Sequence, residues 1–343
     1  REVAHMQALE WLALAVAIQY HGAGPALVSK ITGCGGQQAR DAMAALEARG
    51  LLKPGAGSFC GRVQPLAKGM TNHLVRFALN GSECLLRIPG EGTASLLDRR
   101  QEYEVYQALA GRGISDEVLF FSPELGYKIT RYIESAHNCD PGCAADVQAA
   151  MELLRRMHGM ELRVGHHFDV YEKLEDYVAL TGTRELPFPD WRHTFAAVQG
   201  LRELLERCPQ RRTLCHIDPV QDNFLIGPGG ATLIDWEYAA MCDADIDPAM
   251  FCIYAGYDQA GVERTLRLYH QGTADRVTRF KTYAYMAASG LLWSYWCEYK
   301  KQMGVDYDAY EAQQYGYARA FSALAAQQAQ LLGGVGEREE ALL

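Results

Sequence analysis

The run Trp11–Ile18 is too short to span a bilayer, which takes about 20 apolar residues, and Glu10 precedes it. It reads as neither signal peptide nor membrane helix. Paired cysteines are also missing. The ten cysteines are scattered, with only Cys139 and Cys143 close together, and no CxxC pair or Cys/His ladder occurs. That spacing excludes a zinc ribbon and a disulfide framework, and free thiols fit a reducing cytoplasm. Positive charge is scarce: 33 Lys and Arg face 42 Asp and Glu, for a formal net charge of −9. Such a balance argues against a protein whose main work is holding nucleic acid. It suits a cationic small molecule. Length and apolar content, 343 residues at 49%, allow two or three domains with a sizeable core.

What is present is a catalytic spacing. His216-Ile-Asp-Pro-Val-Gln-Asp-Asn223 reads H-x-D-x-x-x-x-N, and Ile234-Asp235-Trp236-Glu237 follows. Asp at the third position, Asn at the eighth and a second Asp one hairpin later is the pattern of phosphotransferase catalytic loops. The residue types match the chemistry. A substrate hydroxyl needs a carboxylate to orient it and take its proton, the role expected of Asp218. A triphosphate arrives with Mg²⁺, a hard cation that prefers oxygen. Asn223 offers an amide oxygen and Asp235 a carboxylate. The link from Phe224 through Gly227-Pro-Gly-Gly230 to Ile234 reads as strand, turn, strand, which folds Asp235 back beside Asn223.

Before this motif the chain divides by pattern. Ala8–Tyr20, Pro25–Ile31 and Gln37–Arg49 read as three helices, with a strand starting at Leu51. That order predicts a winged helix-turn-helix-like module over 1–58. It would serve DNA binding through its third helix, or packing or self-association. Residues 1–54 carry five basic and four acidic side chains, which favours packing. Gly55-Ala-Gly-Ser58 reads as a linker. Deletion of 1–54 is therefore expected to spare activity. Residues 59–133 read as a five-stranded antiparallel sheet with one helix, including an Asn80-Gly81 hairpin. The chain after 140 is mostly helical. The fold class is thus α+β and bilobal, protein-kinase-like, with an N-lobe over 59–135, a C-lobe over 136–343, and nucleotide expected between them.

Gly69, Thr71 and Asn72 form a turn suited to phosphate. Arg87 and Glu102 stand in order where a kinase places its phosphate-pairing cation and that cation's carboxylate. Arg131, Tyr132 and Ile133 end the last strand, where backbone would meet adenine.

These elements resemble the choline/ethanolamine kinase family, within the group that includes aminoglycoside phosphotransferases. The matching segments are Gly69-Met-Thr-Asn72, Leu85-Leu-Arg-Ile-Pro-Gly90 with Gly92-Thr93, Asp98-Arg-Arg-Gln-Glu102, Cys215-His-Ile-Asp218 with Asn223-Phe-Leu225, Ile234-Asp-Trp-Glu-Tyr238 and Leu292-Trp-Ser-Tyr-Trp296. The resemblance covers about 60–340 and leaves 1–54 unexplained. It implies ATP, Mg²⁺ and phosphoryl transfer to an amino alcohol, choline first, with ethanolamine, thiamine or an aminoglycoside as alternatives. A ligand-sensing DNA-binding regulator is the rival class. The resemblance gives Asp218 as base, Asn223 and Asp235 as metal ligands, and Arg87 and Glu102 as the phosphate-binding pair. Trp293, Trp296 and Tyr315 would surround a quaternary ammonium through their π-faces. Tyr254 stands where the family usually carries an acidic residue; it would extend the cage, with Glu237 supplying the carboxylate.

Overall fold

The structure, a computed structural model, describes residues 6–66, 72–90 and 98–340, with side chains as far as Leu331. By contacts the chain divides at Ser135/Ala136 into two compact units.

The first unit opens with helices α1 (Ala8–Gln19), α2 (Pro25–Thr32) and α3 (Gly36–Ala48). Pro25 starts α2 where its missing N–H costs nothing, and Gly33 ends it at φ +71. The strand expected at Leu51 is reduced to an isolated antiparallel bridge between Leu52 and Phe59. Five strands follow: β1 (Val63–Leu66), β2 (Asn72–Leu79), β3 (Ser82–Pro89), β4 (Val118–Phe121) and β5 (Lys128–Arg131). They form one antiparallel sheet in the order β1-β2-β3-β5-β4. Asn80 and Gly81 both have positive φ, +51 and +78, as a two-residue turn that matches strand twist requires. Between β3 and β4 lies α4 (Arg99–Leu109), capped by the Asp98 carboxylate on the amides of Arg100 and Gln101.

Alternation gives the sheet two faces. Val75, Phe77 and Leu79 of β2, Cys84, Leu86 and Ile88 of β3, and Ile129 share one buried cluster with Trp11, Leu14, Val16 and Ile18 of α1. Trp11 stacks on Phe120, ring centroids 6.0 Å apart, and Tyr127 donates to Gln19. The three helices and the sheet thus share a core. The expected linker is likewise bound down. Ala23 N donates to Gly57 O at 3.1 Å and Lys53 N to Ser58 O at 2.8 Å. Gly57 has φ +59, and a Cβ there would meet the Ala23 carbonyl oxygen at 1.8 Å. Residues 1–54, expected to be dispensable for activity, therefore supply part of the sheet's core. Removing them would strip the cover from one face of the sheet.

The second unit holds β6 (His137–Asn138), α5 (Ala144–Gly159), α6 (Val170–Thr181), α7 (Trp191–Gln199), α8 (Arg202–Arg207), β7 (Arg212–Cys215), β8 (Phe224–Gly227), β9 (Gly230–Leu233), β10 (Ala240–Asp243), α9 (Ile246–Tyr254), α10 (Gln259–His270), α11 (Arg276–Gln302) and α12 (Asp308–Glu340). β8 pairs with β9 and β6, and β7 with β10, all antiparallel. α11 is buried along most of its length. Gly290 lets α12 approach closely, since a Cβ there would lie 2.5 Å from the Gln314 carbonyl oxygen. Among the described residues no helix is long and apolar enough to cross a membrane.

Candidate active site

β7 ends at Cys215, and His216, Ile217 and Asp218 follow directly. Ile217 is forced to φ +69, a conformation that β-branched residues rarely adopt. Asp247, at the start of α9, holds it there. Its Oδ1 accepts from Ile217 N at 2.8 Å and its Oδ2 from His216 N at 2.8 Å. Asp247 is fully buried, so these charge-assisted bonds act where water does not compete.

From Asp218 the chain turns through a short 3-10 helix, Gln221–Asn223. Val220 N and the Asn223 side-chain Nδ2 both donate to the Asp218 carbonyl, at 2.8 and 3.0 Å. The amide nitrogen of Asn223 thereby faces Asp218, which orients the amide plane. The β8–β9 hairpin pairs Phe224 with Leu233, and Ile234 N donates to Asn223 O at 2.9 Å. Asp235 follows at φ +66. His216 Nε2 contacts Ile234 O at 2.9 Å, and the Trp236 indole donates to Leu233 O at 3.0 Å. His216 and Trp236 pack edge to face, 4.6 Å between centroids. These bonds bring Asp218, Asn223 and Asp235 to one corner of the hairpin. The amide and carboxylate oxygens of Asn223 and Asp235 fit a hard divalent cation.

Burial pushes the Asp218 carboxyl above its ordinary value. The Tyr254 hydroxyl and His216 pull it down, while Asp235 and Asp247 push it further up. The Tyr254 hydroxyl is buried beside Asp218 and is itself raised, first by burial and then by that carboxylate. It makes no hydrogen bond of normal geometry among the described residues. Tyr310, raised by burial and then by Asp218, is a neighbour that the sequence pattern did not flag.

The aromatic residues divide. Tyr254 and Trp293 lie 6.2 Å apart between centroids, and Trp293 meets Trp296 edge to face at 6.1 Å. Trp296 is half-buried, with Tyr307 at 5.1 Å and the Lys300 ammonium 5.5 Å over its ring. Tyr315 is directed elsewhere. Its ring stacks on Phe188, and its hydroxyl is held by Asp190 and Thr194 at 2.6 and 2.9 Å. Tyr307, rather than Tyr315, is the tyrosine on Trp296. Glu237 is half-buried just beyond Asp235.

In the first unit, Arg87 forks onto Glu102, with Nη1 to Oε1 at 2.5 Å and Nη2 to Oε2 at 2.9 Å. Glu102 also takes Arg99 at 2.8 Å and Lys128 at 3.3 Å. Burial would raise the Glu102 carboxyl. Lys128, Arg87 and Arg99 together outweigh it and hold the group at about 2, so the carboxylate stays ionised. Arg99 also reaches Asn72 Oδ1 at 3.1 Å, joining Asn72, Arg99, Glu102 and Arg87 in one chain of contacts. Arg131 bonds Glu117 at 2.7 Å on the surface. Tyr132 N donates to Glu83 O at 2.9 Å, and Ile133 follows past the sheet. Gly69 and Thr71 lie outside the described residues.

Three comparisons bear on this arrangement. The family model described as choline/ethanolamine kinase matches residues 63–265. Protein LicA of Haemophilus influenzae is 26% identical over 258 residues, spanning 71% of this chain and 74% of the relative. A choline/ethanolamine kinase family protein from Mesorhizobium loti superposes with a TM-score of 0.68 at 27% identity, covering 81% of this chain and 94% of that one. Choline kinase LicA from Streptococcus pneumoniae superposes with a TM-score of 0.67 at 25% identity, covering 84% and 99%.

Proposed function

Because the chain belongs to the choline/ethanolamine kinase family and is a phosphotransferase with an alcohol acceptor, we propose that it uses ATP and Mg²⁺ to phosphorylate the hydroxyl of choline. The observation that carries this reading is the meeting of Asp218, Asn223 and Asp235 at one hairpin corner. The acceptor hydroxyl attacks the γ-phosphorus, its proton passes to Asp218, and ADP leaves. Asp218 orients the hydroxyl and receives the proton, and burial makes it a better acceptor than a surface carboxylate. Asn223 and Asp235 would hold Mg²⁺, which when bound neutralises charge on the transferring phosphate. Asn72 and Arg87, the latter oriented by Glu102, would meet phosphate oxygens, and the sequence adds Gly69 and Thr71 as further proposed phosphate contacts. The strand end Arg131, Tyr132 and Ile133 would meet the base. Tyr254, Trp293 and Trp296 would face the trimethylammonium, with Glu237 as the nearby carboxylate. Tyr315 would support that wall from behind.

A second reading, an amino alcohol that keeps N–H donors such as ethanolamine, is favoured by Tyr254. Its hydroxyl, buried beside Asp218, keeps a lone pair for an N–H donor that a trimethylammonium does not have.

The helices before Leu52 are read here as a winged-helix-like module, 1–58, with 59–135 and 136–343 as the two kinase lobes. DNA binding is not part of the proposal. Residues 1–54 are close to neutral, and Arg40 on α3 is engaged by Gln37 at 2.8 Å.

The test is an ATP-consumption assay on the full chain with choline, ethanolamine, thiamine and an aminoglycoside offered separately. Choline should give the highest kcat/KM. A preference for ethanolamine would select the second reading, and no consumption with any acceptor would contradict both.

A further inference from the structure

A buried histidine on α5 has no part in the chemistry described above. His158 is fully buried. Its Nε2 lies 2.9 Å from Asp247 Oδ2, and its Nδ1 lies 2.6 Å from the Tyr269 hydroxyl. The same hydroxyl accepts from Arg211 Nη2 at 2.7 Å. Cys215 stands close enough to complete a trio with metal-ligand geometry. Its thiol donates to Thr213 O and Cys242 O, at 3.5 and 3.6 Å, and burial holds it well above its ordinary value. A thiolate ligand is therefore disfavoured, and the trio reads as packing.

The donors and acceptors fix a direction. A guanidinium only donates. Tyr269 spends a lone pair on Arg211, and the Asp247 carboxylate only accepts. A neutral ring therefore carries its hydrogen on Nε2, donates it to Asp247, and leaves Nδ1 to accept the Tyr269 proton. The Asp247 carboxylate then takes three hydrogen bonds: His158 on Oδ2, His216 N on Oδ2 and Ile217 N on Oδ1. Those last two bonds hold Ile217 at φ +69 immediately before Asp218.

We propose that Arg211, Tyr269 and His158 form a directional relay that locks His158 in the Nε2–H tautomer, fixes the Asp247 carboxylate, and so positions the Asp218 loop. The relay runs from an exposed arginine to the residue beside the proposed base. His158 is a positioning residue, since it acts on Asp218 only through Asp247 and two backbone amides. The inference rests on the assignment of Asp218 as the base. The opposite tautomer would set a bare ring nitrogen against a carboxylate and leave two hydroxyl and ring protons pointing at each other.

The direct test needs no variant. Nitrogen-15 NMR of the full chain, with histidine labelled and His158 assigned, should show a protonated Nε2 and an unprotonated Nδ1. An Nδ1–H ring, or a doubly protonated ring, would overturn the relay. The functional arm uses Tyr269→Phe, which keeps the ring and removes the hydroxyl. We expect loss of the single-tautomer signature and a fall in kcat of about tenfold to a hundredfold, the scale of a small misplacement of a catalytic group. KM for ATP and for the acceptor should stay within about twofold. Full kcat in Tyr269→Phe would sink the functional claim. A fall in both KM and kcat in step with lost folding, followed by circular dichroism, would reduce the relay to a structural contact. Asp218→Asn assayed alongside separates failure of the relay from failure of the base assignment, because only the second leaves that variant active.

Discussion

Asn223 donates its side-chain nitrogen to the carbonyl of Asp218 at 3.0 Å. The expected base and the expected metal ligand are thus tied by one hydrogen bond across the short 3-10 turn. Ile234 N on Asn223 O adds Asp235 to the same corner. Asp235→Ala should abolish Mg²⁺-dependent turnover, because the site would lose the carboxylate proposed to hold the ion. Mn²⁺ binding followed by electron paramagnetic resonance should weaken in the same variant. Metal titrations that overlay those of the parent would remove Asp235 from the ligand set.

The Trp11–Phe120 stack makes the helical module part of the sheet's core. Trp11→Ala should destabilise the protein by roughly 3–5 kcal/mol, the range for truncating a large buried aromatic. Thermal unfolding by circular dichroism checks this. Deleting 1–54 should yield protein that aggregates or lacks a cooperative transition. A truncation that melts like the parent would show that the shared core is dispensable.

Much of this was legible in the sequence because its cues are local. Asn80-Gly81 specified its turn, and the Asp218–Asn223 spacing with the hairpin after it specified the corner where those residues meet Asp235. Arg87 and Glu102, fifteen residues apart, met as kinase order predicts. What was hidden depends on contacts far apart in sequence. Asp247 reaches back thirty residues to Ile217, and His158 eighty-nine residues to Asp247; no periodicity marks either. The partner of the Tyr315 hydroxyl, Asp190 on the approach to α7, was hidden for the same reason. Packing of the N-terminal helices was expected, but not that the sheet is their partner, because small glycine-rich segments such as 55–58 look the same in sequence whether free or bound.

Glu311 supplies a pH prediction. It is nearly fully buried, and burial, followed by the neighbouring Glu298, pushes its carboxyl up from 4.5 to about 7 despite Lys301. A carboxyl that is harder to ionise when folded destabilises the fold once pH exceeds its unfolded value. The cost therefore grows from pH 4.5 and is complete above about 7. Glu311→Gln should leave stability near pH 4 unchanged and raise it at pH 8 by on the order of 1–3 kcal/mol. Urea melts at the two pH values check this; an equal shift at both would mean that burial of Glu311 carries no ionisation cost.

The Lys300 ammonium above Trp296 shows that this ring already receives a cation on one face. Trp296→Leu should raise KM for choline about tenfold, from loss of roughly 1–2 kcal/mol of cation–π attraction. KM for ATP should hold. Steady-state kinetics with each substrate varied separately make the comparison, and an unchanged choline KM would return Trp296 to ordinary packing.

Asp218→Asn probes the proposed base of the phosphoryl transfer. The substitution keeps size and removes the negative charge. The measurement is kcat for choline phosphorylation together with ATP affinity by calorimetry, on protein whose melting matches the parent. The account predicts unchanged ATP affinity and a kcat lower by roughly 10²–10⁴, the usual contribution of a positioned base. A kcat close to that of the parent would contradict it.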